Sequence, residues 1–554
     1  MGFRWASRRR VGCKTFDEER VAYNDRVERL RRHEYPMLKG TEPLFNSIIS
    51  RPLTTTGTTY FDHGGTTLAS RSLLDSFSKE MRRTLLANPH SDASNPSASS
   101  IIVTETRAKV LRFFNADPNQ FDVVFTANAT AGAKLVAECF SSLDSGFDYY
   151  YHRNCHTSLV GVRELAGYSQ CLVSDKETEA WLDGGHMPWS SEGPSRPQLF
   201  AYSAQSNMNG QRLPLHWPNQ LRKSGYHPNT YTILDAAALV SNSPLDLSNH
   251  TSAPDFVILS FYKIFGFPDL GALIVRKASS HILEHRRYFG GGTTEMTTCF
   301  GEKPWVARKE ASLHARLEDG SIALRSILAL RCAIDTHQKL FISMGEISKH
   351  TSWLSKTLYD RISLLTHANG VSICHIYKAP GSEYGDSKTQ GATIALNFRK
   401  SDGSWMGPYA VGAKLRSHNI HTRSGSLCNP AGMACALGLS PAVMRSAFDE
   451  GFRCNQEYDI LSDNVLFGMV RVTFGAMNTM EDVEQLARCI QDRLVDRDCH
   501  AGNVSKPLKE RSEASRGSQM TMVAEEATDS TRTEPLFRGG WIKRFWNAVF
   551  PCLP

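Results

Sequence analysis

A single lysine lies between two apolar segments of the sequence, in a turn rich in glycine and aromatic residues. Lys263 is preceded by the run 256–259 and followed by the run 271–275, and both have the length and composition of buried strands. Burial favours the neutral form of a lysine, and a neutral amine can form a Schiff base with an aldehyde. This stretch alone predicts either a reactive lysine or a surface lysine in a strand-to-strand turn.

Other residues have the types that a reactive lysine would need if its aldehyde were pyridoxal phosphate. Asp235 ends a predicted strand, where a carboxylate could keep the pyridine nitrogen protonated, and the alternative is a helix-capping aspartate. Ala129 and Thr130 lie between a strand and a helix, a place that suits a phosphate, and the alternative is an ordinary N-cap. His156 could stack on the ring or be a loop histidine. Cys155 and His156 together could be metal ligands, but no second pair of possible ligands has suitable spacing, so we expect no metal.

The order of these residues resembles that of the class V aminotransferase family, which comprises pyridoxal-phosphate enzymes of fold type I. Within that family, the chain looks most like the cysteine-desulfurase domain of molybdenum cofactor sulfurases. The resemblance covers residues 18–495. The matching motifs are Tyr60–Leu68, Asn88–Ser91, His156–Arg163, Ala204–Asn207, Ser260–Gly266 and Tyr288–Thr293.

The resemblance implies a role for each residue around the ring of the cofactor. Lys263 would form the Schiff base, Asp235 would pair with the pyridinium nitrogen, and His156 would stack on the ring and move protons. Asn207 would bind the phenolic oxygen. Tyr262 stands where many plain desulfurases have histidine, and the sulfurase branch is similar in having tyrosine there.

The resemblance also implies how the phosphate of the cofactor would be held. Ala129, Thr130 and Ser260 would bind the phosphate within one chain. Gly292 and Thr293 would reach a cofactor phosphate across the interface of a homodimer.

Sulfur chemistry needs a nucleophile, and the segment 423–430 resembles the Arg-x-Gly-x-x-Cys loop of the family. The Cys428 thiolate would take sulfur from L-cysteine as a persulfide and release alanine, and Arg423 would favour the thiolate. The alternative is that Cys428 is a small buried cysteine. Arg471 resembles the arginine that grips the substrate carboxylate.

The elements that must position these residues are predicted from hydrophobic periodicity. Strands at 122–126, 198–203, 231–235, 256–260 and 271–275 alternate with helices at 99–114, 130–141, 158–167 and 317–338, which predicts an α/β fold with a large, mostly parallel sheet. Residues 340–495 predict a smaller α+β part. Its predicted helices are 345–366, 409–418, 441–450 and 480–495, and its predicted strands are 371–376, 391–398 and 467–474.

The domain boundaries follow changes in composition. Residues 1–16 form a basic arm that we expect to be disordered, and 17–499 form the class V aminotransferase-like region. Its large part covers about 68–340, and its small part combines 17–67 with 341–499. Residues 500–538 are a polar linker that we expect to be disordered.

Residues 539–554 form an amphipathic C-terminal segment. Aromatic and aliphatic side chains in 541–550 share one helical face, which fits either a peripheral membrane contact or a groove on the enzyme body.

The overall composition narrows the class of protein and its partners. The 554 residues are 41% hydrophobic and 21% charged, with a net charge of +7, so we expect a globular protein that does not bind nucleic acid. Its 13 cysteines have no paired spacing, which favours the reducing cytoplasm.

The sulfur acceptor stays open at this stage. Molybdenum cofactor sulfurases usually continue into a second, β-rich domain, and we expect no such domain in the segment after residue 495. The acceptor could be the molybdenum cofactor, another small molecule or a protein. The alternative functions are a selenocysteine or carbon–carbon lyase of the same class, a sulfur-transfer enzyme of a biosynthetic pathway, and a non-catalytic interaction protein with this fold.

Overall fold

A computed structural model describes residues 15–39, 57–88, 97–185, 196–301, 303–453 and 465–496. Most of the basic arm, most of the motif Asn88–Ser91, the linker 500–538 and the segment 539–554 lie outside these ranges. The predictions made for those parts therefore stay predictions.

The described residues form strands and helices that alternate along the chain. The strands are β1 Thr59–Tyr60, β2 Phe121–Thr126, β3 Asp148–His152, β4 Tyr168–Leu172, β5 Gln198–Ser203, β6 Thr230–Asp235, β7 Phe256–Ser260, β8 Gly271–Arg276, β9 Thr294–Thr298, β10 Trp305–Arg308, β11 Cys374–Ile376, β12 Thr393–Arg399, β13 Trp405–Met406, β14 Ile420–His421, β15 Arg423–Gly425 and β16 Met469–Thr473. The helices are α1 Phe16–Glu34, α2 Arg71–Arg83, α3 Ala98–Phe113, α4 Ala129–Ser141, α5 Thr157–Val160, α6 Asp175–Leu182, α7 Trp217–Ser224, α8 Tyr262–Phe265, α9 Leu313–Leu317, α10 Leu324–Phe341, α11 Met344–Ile362, α12 Pro408–Arg416, α13 Pro430–Leu437, α14 Pro441–Asp449 and α15 Met480–Arg493. Short 3-10 helices cover Pro36–Leu38, Gly161–Leu165 and Lys277–His285.

Seven strands form the central sheet, in the order β2-β8-β7-β6-β5-β3-β4. Neighbours from β7 to β4 are parallel, whereas β8 runs antiparallel to both β7 and β2. The link 261–270 explains this exception, because a parallel return needs a crossover of a dozen or more residues. The predicted α/β class with a mostly parallel sheet is confirmed.

The central strands are buried on both faces, which is why their sequences are continuous apolar runs. All five residues of β7 are buried, and successive side chains of β7 pack into two different hydrophobic clusters. One cluster contains the helices α3 and α10, and the other contains α4. This two-sided burial fixes the strand ends from which Asp235 and Ser260 project.

A second, antiparallel sheet has the order β11-β12-β16-β15, with β13 paired to β12. Its cluster of buried side chains includes α11, α12 and α15. The N-terminal strand β1 pairs with β14, and Asp62 forms a bridge with Thr473 at the end of β16. The short segment 59–62 therefore lies against the same part of the molecule as Arg471.

Two predicted helices are shorter than the sequence pattern indicated. The helix predicted at 317–338 begins only at Leu324, as α10, because Glu318 pairs with Arg107 and Gly320 takes a left-handed conformation (φ +74°). The helix predicted at 158–167 is one α-helical turn followed by the 3-10 helix Gly161–Leu165.

Several elements were not predicted at all. They include β3 and β4, whose mixed aromatic and polar composition hides the strand period, and the helices α2, α6 and α7. In the described part of the chain, no helix combines the length and hydropathy needed to cross a membrane.

Candidate active site

Lys263 lies in α8, a single helical turn that directly follows the central strand β7. The predicted turn is thus partly helical, and it ends at Gly266 with a left-handed φ of +78°. A Cβ at Gly266 would lie 2.3 Å from the backbone of Leu68 and Ala69, so only glycine fits this close approach. The packing of α8 against 68–69 fixes the position of the lysine.

The surroundings of Lys263 favour its neutral amine. Burial is the main cause and lowers the pKa of Lys263 below its usual range. Asp235 raises this pKa, Arg471 lowers it, and Asp62 and Cys428 raise it by smaller amounts. Lys263 therefore interacts electrostatically with residues from both sheets, and its lowered pKa suits a nucleophilic amine.

Asp235 supplies a buried carboxylate next to Lys263. It is the last residue of β6 and is only 8% exposed, and its Oδ1 accepts a hydrogen bond from the Ala237 amide at 2.9 Å. Its negative charge raises the pKa of both Lys263 and His156, in each case against the larger effect of burial. A protonated ring nitrogen would find its counter-charge here.

The start of α4 has features that suit an anion. Asn128 caps the helix through a hydrogen bond from Ala131, and Ser260 Oγ accepts from the amide of Ala129 at 3.0 Å. Thr130 is exposed, and its hydroxyl has no hydrogen-bond partner among the described residues. A Cβ at Gly271 would lie 2.5 Å from Asn128, so β8 packs tightly under this turn. A helix start with an unpaired hydroxyl fits a phosphate group.

His156 precedes α5 and has a defined tautomer. Its Nδ1 accepts from the Ser158 amide at 3.1 Å, so the neutral imidazole carries its proton on Nε2. Burial lowers the pKa of His156; Asp235 opposes this effect, whereas nearby cationic groups, among them Lys263, reinforce it. His156 is therefore neutral near pH 7, as a stacking and proton-transferring imidazole requires.

Arg471 in β16 is buried, and two of its nitrogens already have partners. Nη2 forms an ion pair with Asp62 at 2.8 Å, and Nη1 donates to the Asn207 carbonyl at 2.9 Å. Nε is buried and has no hydrogen-bond partner among the described residues. Burial lowers the pKa of Arg471, and Asp62 partly restores it. Arg471 thus retains unused N–H donors that suit a substrate carboxylate.

Asp62 is a site residue that the sequence interpretation did not identify. It lies in the motif Tyr60–Leu68, which was used only for the family resemblance. Its position before Gly64 and Gly65 was the available signal, because a Cβ at Gly64 would lie 3.0 Å from Nη2 of Arg471. Gly64 leaves room for the Arg471 side chain, and Asp62 supplies its ion-pair partner.

Cys428 lies on the loop between β15 and α13 and is partly buried. The Cys428 carbonyl accepts a hydrogen bond at 3.0 Å from the amide of Thr157, the residue that follows His156. Arg423 pairs in register with Arg471 across β15 and β16, so two guanidinium groups flank the approach to this loop. The structure therefore brings the Cys428 loop next to His156, although the two are far apart in the sequence.

Asn207 reaches this loop through its side chain. Its Nδ2 donates to the Leu427 carbonyl at 2.7 Å, and its Oδ1 accepts from Asn429 at 3.1 Å. The predicted hydrogen bond from Asn207 to a phenolic oxygen would have to use its second N–H. Asn429 and Asn154 were missed in the sequence, because buried amides leave no periodic pattern.

Gly292 and Thr293 are separate from this group within one chain. Gly292 has a left-handed φ of +82°, and Thr293 is buried with its hydroxyl donating to the Gly290 carbonyl at 2.7 Å. Among the described residues, no hydrogen bond joins either residue to Lys263, Asp235 or Cys428. Their proposed contact belongs to a partner subunit and stays a prediction.

The described residues contain no cluster of three or more His, Cys, Asp or Glu side chains arranged to hold a metal. The site instead combines a lysine with a lowered pKa, a buried carboxylate, a helix start and a neutral imidazole. These groups fit pyridoxal phosphate.

Comparison with known proteins identifies the family of this chain. The model of the family "Aminotransferase class-V" matches residues 59–486. The chain is 46% identical over 495 residues to the molybdenum cofactor sulfurase of Aspergillus niger, an alignment that covers 89% of this chain and 57% of that protein. It is 48% identical over 471 residues to the sulfurase of Chaetomium globosum, with coverage of 85% and 58%. The chain thus spans less than two thirds of the length of these curated relatives.

The fold is similar to that of solved cysteine desulfurases. The apo enzyme of Thermococcus onnurineus superposes with a TM-score of 0.59 at 18% identity, covering 84% of this chain and 98% of that one. At this identity, the likeness supports the fold and not a particular activity.

Proposed function

The chain belongs to the class V aminotransferase family, and we propose that it is a pyridoxal-phosphate-dependent cysteine desulfurase of the molybdenum cofactor sulfurase type. The observation that carries this proposal is the position of the Cys428 loop, because the Cys428 carbonyl accepts from the amide of Thr157, next to His156, and the Leu427 carbonyl accepts from Asn207. A pyridoxal-phosphate enzyme needs a lysine and a carboxylate, and a desulfurase also needs a thiol that faces them.

The chain's own residues would hold the cofactor at three points. Lys263 would bind its aldehyde, and Asp235 would neutralise the protonated ring nitrogen. Ser260, Thr130 and the amides of α4 would hold the phosphate. When bound, the cofactor supplies an electron sink for the α-carbon of an amino acid.

The ring itself would be held by two side chains. His156 would lie against the ring as a neutral imidazole, and Asn207 would reach the phenolic oxygen with its second N–H. Asn207 also contacts Leu427, so the cofactor end and the nucleophile loop share one amide.

The substrate we propose is L-cysteine. Arg471 would bind its carboxylate through the N–H groups left unused by Asp62 and Asn207. The amine of Lys263, whose pKa is lowered by burial, and the Nε2 proton of His156 would serve proton transfer.

Cys428 would take the sulfur. The carbon–sulfur bond of the substrate breaks, a sulfur–sulfur bond forms on Cys428, and the carbon skeleton leaves as alanine. The reaction of two thiols to give one persulfide and one methyl group is balanced without an external oxidant or reductant. Arg423 and Arg471 pair in register on β15 and β16, and β15 leads directly into this loop.

The persulfide sulfur would then pass to an acceptor. The similar fungal proteins are named for the molybdenum cofactor, which makes that cofactor the first acceptor to test. Another small molecule or a carrier protein would use the same persulfide. A selenocysteine lyase would use the same residues, and substrate comparison separates the two activities.

We also propose a cytoplasmic homodimer. The hairpin of β9 and β10 follows Gly292 and Thr293 and exposes three large apolar side chains, Met296, Phe300 and Trp305. A second copy would cover them and bring Gly292 and Thr293 to its cofactor phosphate. The segment 541–550 would add a peripheral membrane contact or pack on the enzyme body.

The decisive experiment uses the purified full chain with pyridoxal phosphate. We expect L-cysteine to give equal amounts of alanine and sulfide in the presence of a thiol reductant. Turnover of selenocysteine without turnover of cysteine would instead identify a selenocysteine lyase. A protein that binds no cofactor and converts neither substrate would be a non-catalytic member of the family.

A further inference from the structure

The loop that carries Cys428 has an unusual backbone. Leu427 and Cys428 both have left-handed φ angles, +57° and +54°, and neither is glycine. Such a conformation is disfavoured for side chains of this size, and two in succession persist only where surrounding contacts hold them. Hydrogen bonds from neighbouring segments hold this loop in that conformation.

The carbonyl groups of both residues are held by groups from the large sheet. The amide of Thr157 donates to the Cys428 carbonyl at 3.0 Å, and Asn207 Nδ2 donates to the Leu427 carbonyl at 2.7 Å. Thr157 follows His156, and Asn207 follows the β5 segment. The position of the Cys428 loop therefore depends on the orientation of the Asn207 amide.

Asn429 determines that orientation. Its side chain is fully buried, and its Oδ1 accepts from the backbone amide of Gly432 at 3.0 Å. Because a backbone amide can only donate, Asn429 must turn its Nδ2 the other way, where it donates to Asn207 Oδ1 at 3.1 Å and to the Asn154 carbonyl at 3.3 Å. Ser206 Oγ lies 3.5 Å from the same nitrogen.

The result is a relay of three hydrogen bonds, in which donors and acceptors can be arranged in only one way. The Gly432 amide donates to Asn429, Asn429 donates to Asn207, and Asn207 donates to the Leu427 carbonyl. A donor-only group begins the relay and an acceptor-only group ends it. Each amide must therefore keep its orientation, and the relay closes the loop around Cys428.

We propose that Asn429 is a positioning residue, which orients the Asn207 amide and thereby holds Cys428 in place for attack on the substrate sulfur. The functional part of this inference rests on the proposed desulfurase activity. The structural part concerns only the loop and its hydrogen bonds. Asn429 touches neither substrate nor cofactor in this role and acts through Asn207 and Cys428.

The substitution Asn429→Asp separates this role from helix capping. Aspartate caps helices as well as asparagine does, so the hydrogen bond from Gly432 is retained. Aspartate cannot donate to Asn207 Oδ1 or to the Asn154 carbonyl, so the relay loses its direction. Asn429→Ser is a second variant, which keeps a capping oxygen without a buried negative charge and without the amide that donates to Asn207.

Two measurements on the cofactor-loaded full chain test the proposal. Hydrogen exchange of peptides covering 423–429 should be faster in both variants by at least about fivefold, because the loop opens locally. The kcat for alanine formation should fall by roughly tenfold to a hundredfold, the effect of leaving one buried hydrogen-bonding group unpaired, while KM changes by less than about twofold. KM should stay nearly constant because Arg471, the proposed carboxylate-binding residue, keeps its bonds to Asp62 and to the Asn207 carbonyl.

Ser440→Ala is the matched control, because Ser440 caps the next helix, α14, through the Val443 amide at 3.2 Å. It removes a helix cap near the loop but leaves the relay intact, so kcat and exchange at 423–429 should match those of the wild type. The proposal is overturned if both Asn429 variants keep wild-type exchange and kcat, or if Ser440→Ala changes both equally. If the wild type makes no alanine, the desulfurase proposal fails, and the exchange comparison still decides whether Asn429 holds the loop.

Discussion

The two sides of the active site are built in different ways. Asp235, Ser260 and Lys263 lie at or next to the ends of buried strands in the seven-stranded sheet, where backbone pairing and apolar packing fix them. Cys428 lies on a loop with two left-handed residues, held by side-chain amides. The comparison indicates that backbone pairing and packing hold the lysine end of the site, whereas a few side-chain hydrogen bonds hold the thiol end.

The two sides meet at Arg471 and Asp62. Arg471 belongs to the smaller sheet, yet its charge influences Lys263, and Asp62 reaches it from the N-terminal segment next to β1. When a substrate carboxylate binds, the guanidinium of Arg471 would therefore contact two carboxylates, that of the substrate and that of Asp62.

We call Asp235, Ser260 and Lys263 the fixed side of the site. The largest effect should follow from removing its lysine. Lys263→Ala should lower alanine formation by roughly a thousandfold or more, because both cofactor attachment and proton transfer are lost. The wild type should be yellow, and borohydride should fix the cofactor to the peptide that contains Lys263. A borohydride-reducible adduct that persists in Lys263→Ala would disprove the assignment.

Removing the thiol should abolish persulfide formation and leave cofactor binding intact. Cys428→Ser should keep the cofactor absorbance band and its change on addition of cysteine, because the fixed side is intact. It should form no persulfide, measured by mass spectrometry of the peptide covering 424–430. Cys435→Ser, in the exposed part of α13, is the matched control and should behave as the wild type does. Sulfide release at the wild-type rate from Cys428→Ser would assign the sulfur chemistry to another group.

Changing the carboxylate clamp should have an intermediate effect. Arg471→Ala should raise the KM for cysteine by roughly tenfold to a hundredfold, the value of a hydrogen-bonded charge pair. Asp62→Asn removes the charge that competes for the guanidinium, so the KM should fall or stay constant while thermal stability decreases. An unchanged KM in Arg471→Ala would mean that another group binds the carboxylate.

The smallest effect on catalysis is expected at His337, which changes the pH dependence of stability and not the reacting groups. Burial lowers the pKa of His337 to about 4. The unfolded chain takes up a proton on this residue near pH 6.5 while the folded chain does not, so its contribution to stability is lost as the pH falls from about 6.5 to 4.

The slope of that loss is about 1.4 kcal/mol per pH unit for one residue, and it can be measured by urea unfolding. His337 packs between Phe265 of α8 and Phe341. His337→Phe should therefore flatten the pH dependence in this window while keeping the packing. An unaltered slope would mean that His337 titrates normally in the folded protein.

The sequence by itself determined the fixed side of the site. The apolar runs around Lys263 predicted two strands, and β7 and β8 begin and end within a residue of those predictions. The order of motifs indicated the family, which the match over 59–486 confirms. Local periodicity and turn chemistry are properties of neighbouring residues, so they can be read without knowing the fold.

Only the tertiary structure decided the partners on the other side. Asp62 and Arg471 are separated by 409 positions, and Asn207 and Asn429 by 222. Lone polar residues at such distances leave no periodic trace, and a polar side chain in a loop looks the same whether it is exposed or buried. Their roles appear only when the two sheets close around them, because burial is what makes a directed hydrogen bond or a charge pair necessary.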